Sequence, residues 1–135
     1  MVDSQAHAPQ RWSLLIVEDH RQAREGLVDL LAEVWPALQV QAVATAEEAF
    51  GRCRADPPDG VLLDYRLPGS DGVDVIERLR QLAPATAVVV LTADPNRSVQ
   101  AAVSQAGAAA CVGKSGDFHV LLDTIRTALD RPDQG

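Results

Sequence analysis

Short apolar runs alternate with stretches of helical period along this chain, and the alternation leaves it few folds to adopt. Trp12–Val17, Val61–Leu63 and Ala87–Leu91 are runs of strand length. Two of them, Val61-Leu62-Leu63 and Ala87 to Leu91, carry no polar position, the pattern of a strand buried on both faces. Leu38, Val40, Ala42 and Ala44 give a weaker, alternating second strand, and Ala108–Gly113 a short fifth. The segments between them read as helices. Ala23, Leu27, Leu30, Leu31 and Val34 recur at helical spacing and stop before Pro36, which cannot continue the helix. Thr45-Ala46-Glu47-Glu48 is a capping box opening a second helix, which ends near Asp56-Pro57-Pro58-Asp59. Val73, Ile76, Leu79 and Ala83 line a third, ended by Pro84. Asp94 is expected to cap a fourth, with Pro95 in its first turn. Val99, Ala102, Val103 and Ala106 form its inner face and Gly107 ends it. Phe118, Leu121, Leu122, Ile125 and Leu129 line the last.

Five strands alternating with five helices imply an α/β fold: a parallel sheet covered on both faces, with right-handed crossovers. The expected form is the flavodoxin-like (βα)5 three-layer sandwich, strand order 2-1-3-4-5. The length, 135 residues, suits one domain. It is expected over residues 12–130, between a polar leader (1–11) and a tail (131–135). The net charge of -7 disfavours direct nucleic-acid binding, which needs a basic face. Cys53 and Cys111, the only cysteines, make no disulfide framework. Cys53 shares an apolar helical face with Ala46, Ala49 and Phe50 and is expected to be buried. No apolar run approaches the length of a membrane span, and the N-terminus lacks the pattern of a signal peptide. The reducing cytoplasm is the expected location.

The strand ends carry the chemistry. In the expected order the switch point lies between strands one and three, and ligands bind at the carboxyl ends of such strands. Strand one runs into Glu18 and Asp19, and strand three ends on Asp64. Strand four closes on Thr92, and strand five runs into Lys114. Pro68, Gly69 and Gly72 forbid regular structure just beyond Asp64. All these side chains converge on one edge of the sheet. Three carboxylates together repel one another and call for a hard cation, and Mg2+ suits an oxygen-only site. A lysine offsets remaining charge and can reach a phosphate oxygen, and a threonine hydroxyl can donate to another. The combination fits an aspartyl-phosphate site, with a carboxylate as nucleophile. Each residue alone has a plainer reading. Glu18-Asp19 could be a solvated turn, Asp64 a strand cap, Thr92 a helix cap and Lys114 an ordinary surface lysine. Together, on four strand ends, they are much harder to obtain by accident.

The chain resembles the receiver domain of two-component response regulators over about residues 12 to 130. The resemblance rests on Glu18-Asp19, Asp64 with Leu67-Pro68-Gly69 and Asp71-Gly72 behind it, Thr92-Ala93 and Gly113-Lys114. Glu18-Asp19-His20 and Lys114-Ser115 look like the subfamily that usually carries a helix-turn-helix output domain. The resemblance implies that Asp64 accepts a phosphoryl group from a sensor histidine kinase. It implies Mg2+ held by Asp19, Asp64 and the backbone carbonyl of Arg66, with Glu18 acting through bound water. Lys114 would pair with Asp64 and then with the phosphoryl group, and Thr92 would move towards it. The docking face for an output domain or partner protein would be the fourth helix, fifth strand and fifth helix, with exposed residues such as Ser98, Gln105 and His119. A homodimer on phosphorylation is a further implied partner.

One departure stands out. Receivers usually place Tyr or Phe three residues before the lysine, and here that position is Cys111. A small thiol cannot perform the inward swing of an aromatic ring, so phosphorylation is expected to act on the loop after strand four and on the fourth helix. Arg66 and Asp94, two residues beyond Asp64 and Thr92, are expected to modulate the lifetime of the phosphoryl group and can pair across the mouth of the site. Three other functions compete. A degenerate receiver would dock partners without phosphorylation. An aspartyl-phosphate phosphohydrolase commonly needs an acid where Arg66 stands, and a guanidinium cannot give up a proton at neutral pH. A flavin carrier needs a hydroxyl- and glycine-rich loop where Glu18-Asp19 would repel phosphate.

Overall fold

The computed structural model describes residues 11–130. The expected leader, except Arg11, and the tail lie outside them. The elements are β1 (Ser13–Val17), α1 (Arg21–Val34), β2 (Gln39–Val43), α2 (Ala46–Ala55), β3 (Gly60–Asp64), α3 (Gly72–Leu82), β4 (Ala87–Thr92), α4 (Arg97–Ala106), β5 (Ala110–Gly113) and α5 (Phe118–Leu129). One parallel sheet runs in the order β2-β1-β3-β4-β5, the flavodoxin-like topology. Its register aligns Val17 with Leu63, Asp64 with Leu91, and Thr92 with Gly113. The ends of these four strands therefore form one row.

Side chains alternate across the sheet and divide the core in two. Leu15, Val17, Val61, Leu63, Val88 and Val90 face α2, α3 and α4, where Cys53, Ile76, Leu79 and Val103 meet them. Leu14, Ile16, Leu62, Val89 and Leu91 face α1 and α5, against Leu31, Leu121 and Ile125. β3 is buried at every position, as its unbroken apolar run requires, whereas β2, at the edge, has no buried residue.

Of the two helix caps expected from the sequence, the box at Thr45 holds and the cap at Asp94 does not. The Thr45 hydroxyl accepts from Glu48 N, and the Glu48 carboxylate accepts in return from Ala44 N and the Thr45 hydroxyl. Asp71 caps α3, accepting from the amides of Val73 and Asp74. The cap of α4 is Asn96, whose Oδ1 accepts from Val99 N, not Asp94. Pro95 thus lies outside the helix, and Asp94 is turned to receive Asn96 Nδ2. Gly107 ends α4 at φ 110, a left-handed conformation that glycine adopts without a Cβ penalty.

The inner stripe of α1 is narrower than the repeat of apolar residues. Leu31 is buried and Leu27 and Val28 pack beside it, while Ala23, Leu30 and Val34 are exposed. Trp35, just past the helix, occupies the space towards α5, with the Arg126 guanidinium 4.9 Å from its ring centroid. On α3 the buried residues are Val75, Ile76 and Leu79, with Val73 only half-buried.

Candidate functional site at the carboxyl edge of the sheet

Glu18 extends β1 by one bond, its N–H donating to Val43 O at 3.0 Å. That bond turns its side chain inward, where it is 3% exposed. Asp19, one residue on, is exposed. Asp64 ends β3 and is 5% exposed. One carboxylate oxygen from each of the three acids lies within 4.8 Å of the others. Lys114 follows β5, and its backbone N–H donates to Thr92 O at 2.7 Å. Its Nζ lies 3.1 Å from Asp64 Oδ1 and 3.5 Å from Glu18 Oε1. Thr92, at the end of β4, is buried, and its hydroxyl accepts from Asp94 N at 3.4 Å.

Backbone amides hold the acids further. Glu18 Oε2 accepts from His20 N at 3.0 Å, and Asp64 Oδ1 accepts from Arg66 N at 3.1 Å. Burial pushes the Glu18 carboxyl above its ordinary value, although the His20 amide opposes the shift; nearby Asp64 adds to the rise and Lys114 opposes it. Burial also works against the Lys114 charge, but Asp64 and then Glu18 outweigh it, and the ammonium is held above its ordinary value. One ammonium faces a surplus of carboxylate. An all-oxygen set of this kind fits a hard divalent cation such as Mg2+.

The structure thus brings Glu18, Asp19, Asp64 and Lys114 into one cluster, with Thr92 tied to it through the Lys114 backbone. It does not bring Arg66 and Asp94 together. No ion pair joins them among the described residues, and Asp94 is engaged by Asn96 instead. Cys111 is half-buried in β5 beside the α2-α3-α4 side of the core, and burial raises its thiol pKa. Cys53 is buried, as expected. A surface cleft of about 330 Å³ between α2 and α3 is lined by Phe50, Asp74 and Arg78 among others and includes none of the strand-end residues.

One contributor escaped the sequence reading, and another was read there in a different role. Arg24 Nη1 donates to the carbonyls of Glu18 and Asp19, at 2.9 and 3.3 Å. The available signal was its position in the first turn of α1, because helical side chains lean towards the N-terminus. Gly72 is the other. A Cβ there would lie 2.7 Å from Tyr65 O and 2.5 Å from the Tyr65 ring, so the chain just after Asp64 can pass only a glycine.

The chain is similar to known proteins in sequence and in fold. Residues 14–126 match the family described as "Response regulator receiver domain". The chain is 30% identical over 116 residues to the transcriptional activator protein ExaE of Pseudomonas putida, covering 86% of this chain and 54% of that protein. It is 32% identical over 114 residues to the response regulator GacA of Pseudomonas viridiflava, covering 84% and 53%. The chain therefore spans about half the length of these curated relatives. Among solved structures it is similar to a two-component response regulator of the LuxR family from Aurantimonas sp. SI85-9A1. The TM-score is 0.82 at 31% identity, covering 89% of this chain and 86% of that one. With the family matched across β1 to α5 and the strand-end residues clustered on one sheet edge, the chain belongs to the receiver domains of two-component response regulators.

Proposed function

We propose that this receiver is switched by phosphorylation of Asp64, using a phosphoryl group drawn from the phosphohistidine of a sensor histidine kinase. The observation that carries the reading is the 3.1 Å contact of Lys114 Nζ with Asp64 Oδ1 inside a cluster of three acids. Hydrogen bonding favours Asp64 over Glu18 as the acceptor. Both Glu18 oxygens are engaged, one by Lys114 and one by His20 N. Asp64 Oδ1 takes Lys114 and Arg66 N, and Oδ2 accepts from no N–H of the described residues. Oδ2 is thus free to attack. The P–N bond to the kinase histidine breaks as the P–O bond to Asp64 forms, and the imidazole leaves with the electron pair.

Asp19, Asp64 and the Arg66 backbone carbonyl would hold Mg2+, with Glu18 acting through bound water. The bound cation would neutralise charge on the phosphoryl oxygens, which is most of what phosphoryl transfer asks of a protein. Lys114 exchanges its carboxylate partner for a phosphoryl oxygen. The Thr92 hydroxyl, which among the described residues accepts from Asp94 N at the long distance of 3.4 Å, turns to donate to another. The consequence is a changed docking surface on α4, β5 and α5, where Ser98, Gln105 and His119 are exposed. An output domain or partner protein reads that surface, and a second copy of the receiver can do the same after phosphorylation. We place this activity in the cytoplasm, in keeping with the family; no helix of the described residues is long and apolar enough to cross a membrane.

Incubation with Mg2+ and acetyl phosphate, read by intact mass, tests the assignment. One base-labile phosphate is expected on the wild type and none on Asp64→Asn. A phosphate retained on that variant would defeat the choice of Asp64.

A further inference from the structure

Asp19 differs from the other two acids in how it is held. Glu18 and Asp64 are buried, and backbone amides and Lys114 fix their carboxylates. Asp19 is exposed, lies between β1 and α1, and belongs to neither. Among the described residues a single hydrogen bond outside regular structure reaches it, the one that Arg24 Nη1 makes to its carbonyl at 3.3 Å. The same nitrogen donates to Glu18 O at 2.9 Å. Arg24 is itself anchored, because its N–H donates to His20 O at 2.9 Å in the first bond of α1. One guanidinium thus bridges two consecutive carbonyls from one turn further along the chain.

We propose that Arg24 is a positioning residue for the divalent cation: by gripping the Glu18 and Asp19 carbonyls it holds the Asp19 carboxylate towards Asp64 before the cation arrives. The inference rests on the reading of the acid cluster as a Mg2+ site. A ligand on an unrestrained turn must be ordered when the metal binds, and that ordering weakens affinity. Groups that orient ligands without touching the metal commonly change affinity about 10–100-fold when removed.

Electrostatics predicts the opposite sign, which makes the idea testable. Arg24 is a positive charge beside a cation site, so as a bare charge its removal would tighten Mg2+ binding. As a clamp its removal weakens binding. Arg21, in the same helical turn, provides the charge control, since it pairs with Glu25 on the exposed face and touches neither carbonyl.

The experiment is calorimetric titration of the whole chain with Mg2+ well below the melting temperature, for wild type, Arg24→Ala, Arg24→Lys and Arg21→Ala. Arg24→Ala is expected to weaken Mg2+ binding about tenfold, the low end for an orienting group. Arg24→Lys should recover part of the loss, because an ammonium can donate to both carbonyls without the planar fork. Arg21→Ala should bind no more weakly than wild type. Phosphorylation by acetyl phosphate should show the same split: a higher half-saturating Mg2+ concentration in Arg24→Ala, with the wild-type rate regained at saturation. Equal or tighter binding by Arg24→Ala, or a lysine variant as weak as alanine, overturns the clamp. Should Arg24→Ala fail to fold, Arg24→Gln, whose amide nitrogen stops two bonds short of the arginine Nη1 and cannot reach both carbonyls, takes its place with the same expected weakening. A wild type that does not bind Mg2+ overturns the reading of the acid cluster instead.

Discussion

The backbone N–H of Lys114 donates to the carbonyl of Thr92 at 2.7 Å, one step beyond the last paired residues of β4 and β5. The residue that neutralises the acids and the residue expected to follow the phosphoryl group are therefore joined through the main chain. With Cys111 in place of an aromatic ring, no large side chain on β5 has to relocate. Binding of a phosphoryl mimic should therefore change amide exchange in residues 92–96 and in α4 more than in β5. Changes confined to β5 would show that the strand carries the switch despite its small side chain.

Lys114→Met leaves Asp64 and Glu18 facing each other without an ammonium. Breaking a fully buried pair costs about 3–5 kcal/mol, but the Lys114 side chain is 37% exposed and water screens it. After that discount a loss of about 1–2 kcal/mol is expected without Mg2+, read as a lower Tm. Millimolar Mg2+ should narrow the difference by binding only the folded state. An unchanged Tm would mean that the contact adds nothing to stability.

Glu18→Gln should act in the opposite direction. The Glu18 carboxyl is raised above its ordinary value of 4.5, so the fold disfavours its charge even with Lys114 nearby. For an acid raised in this way, the folded state holds the proton more tightly than the unfolded state. Stability then falls as pH rises from the unfolded value through the folded one, and the penalty is complete above it. Without Mg2+ at neutral pH the neutral variant should melt higher than wild type. The advantage should shrink as pH falls towards the ordinary value and wild-type Glu18 gains its proton. A variant that melts lower than wild type across the whole range would contradict this sign.

Gly72→Ala tests the close passage behind Asp64. The Tyr65 ring can swing away from a new Cβ, but its carbonyl is main chain, and Tyr65 N is bonded to Leu91 O at 2.9 Å. A cost of about 1–3 kcal/mol is expected, typical of overpacking, and a urea titration would measure it. A midpoint equal to wild type would show that the loop yields freely.

Arg66 and Asp94 are not paired, so their effects on the lifetime of a phosphorylated Asp64 should be independent. The logarithm of the half-life change in the double alanine variant should equal the sum of the two single changes. A clear shortfall from that sum would reveal a coupling that forms only once the phosphoryl group is present.

Much of the molecule was legible in the chain. The unbroken runs at Val61–Leu63 and Ala87–Leu91 can be satisfied only inside a two-sided core, and that placed β3 and β4 at the centre. The strand ends then put Glu18, Asp19, Asp64, Thr92 and Lys114 on one edge. What was not legible depended on side-chain direction. Asp94 and Asn96 are both good caps two residues apart, and only the path of the backbone through Pro95 selects Asn96. Leu30 and Val34 fit the helical repeat of α1 but lie outside the stripe that Leu27, Val28, Leu31 and Trp35 present to the sheet. The grip of Arg24 on two carbonyls leaves no trace in hydropathy, because a surface arginine in a first helical turn looks like any other.

The order in which the sheet can assemble has its own consequence. The acids come from β1 and β3, neighbours in the centre, whereas the ammonium arrives with β5, the last strand in sequence and an edge of the sheet. A chain with β5 not yet docked therefore gathers Glu18, Asp19 and Asp64 without the ammonium that contacts two of their carboxylates in the folded state. Long-range parallel pairings form slowly, which prolongs that stage of refolding. A divalent cation can stand in for the missing lysine during it. We expect Mg2+ to accelerate refolding of the wild type and to accelerate Lys114→Met at least as much, whereas an Asp19→Asn chain should refold at nearly the same rate with or without it. Refolding rates that ignore Mg2+ in all three chains would place the closing of β5 before the gathering of the acids.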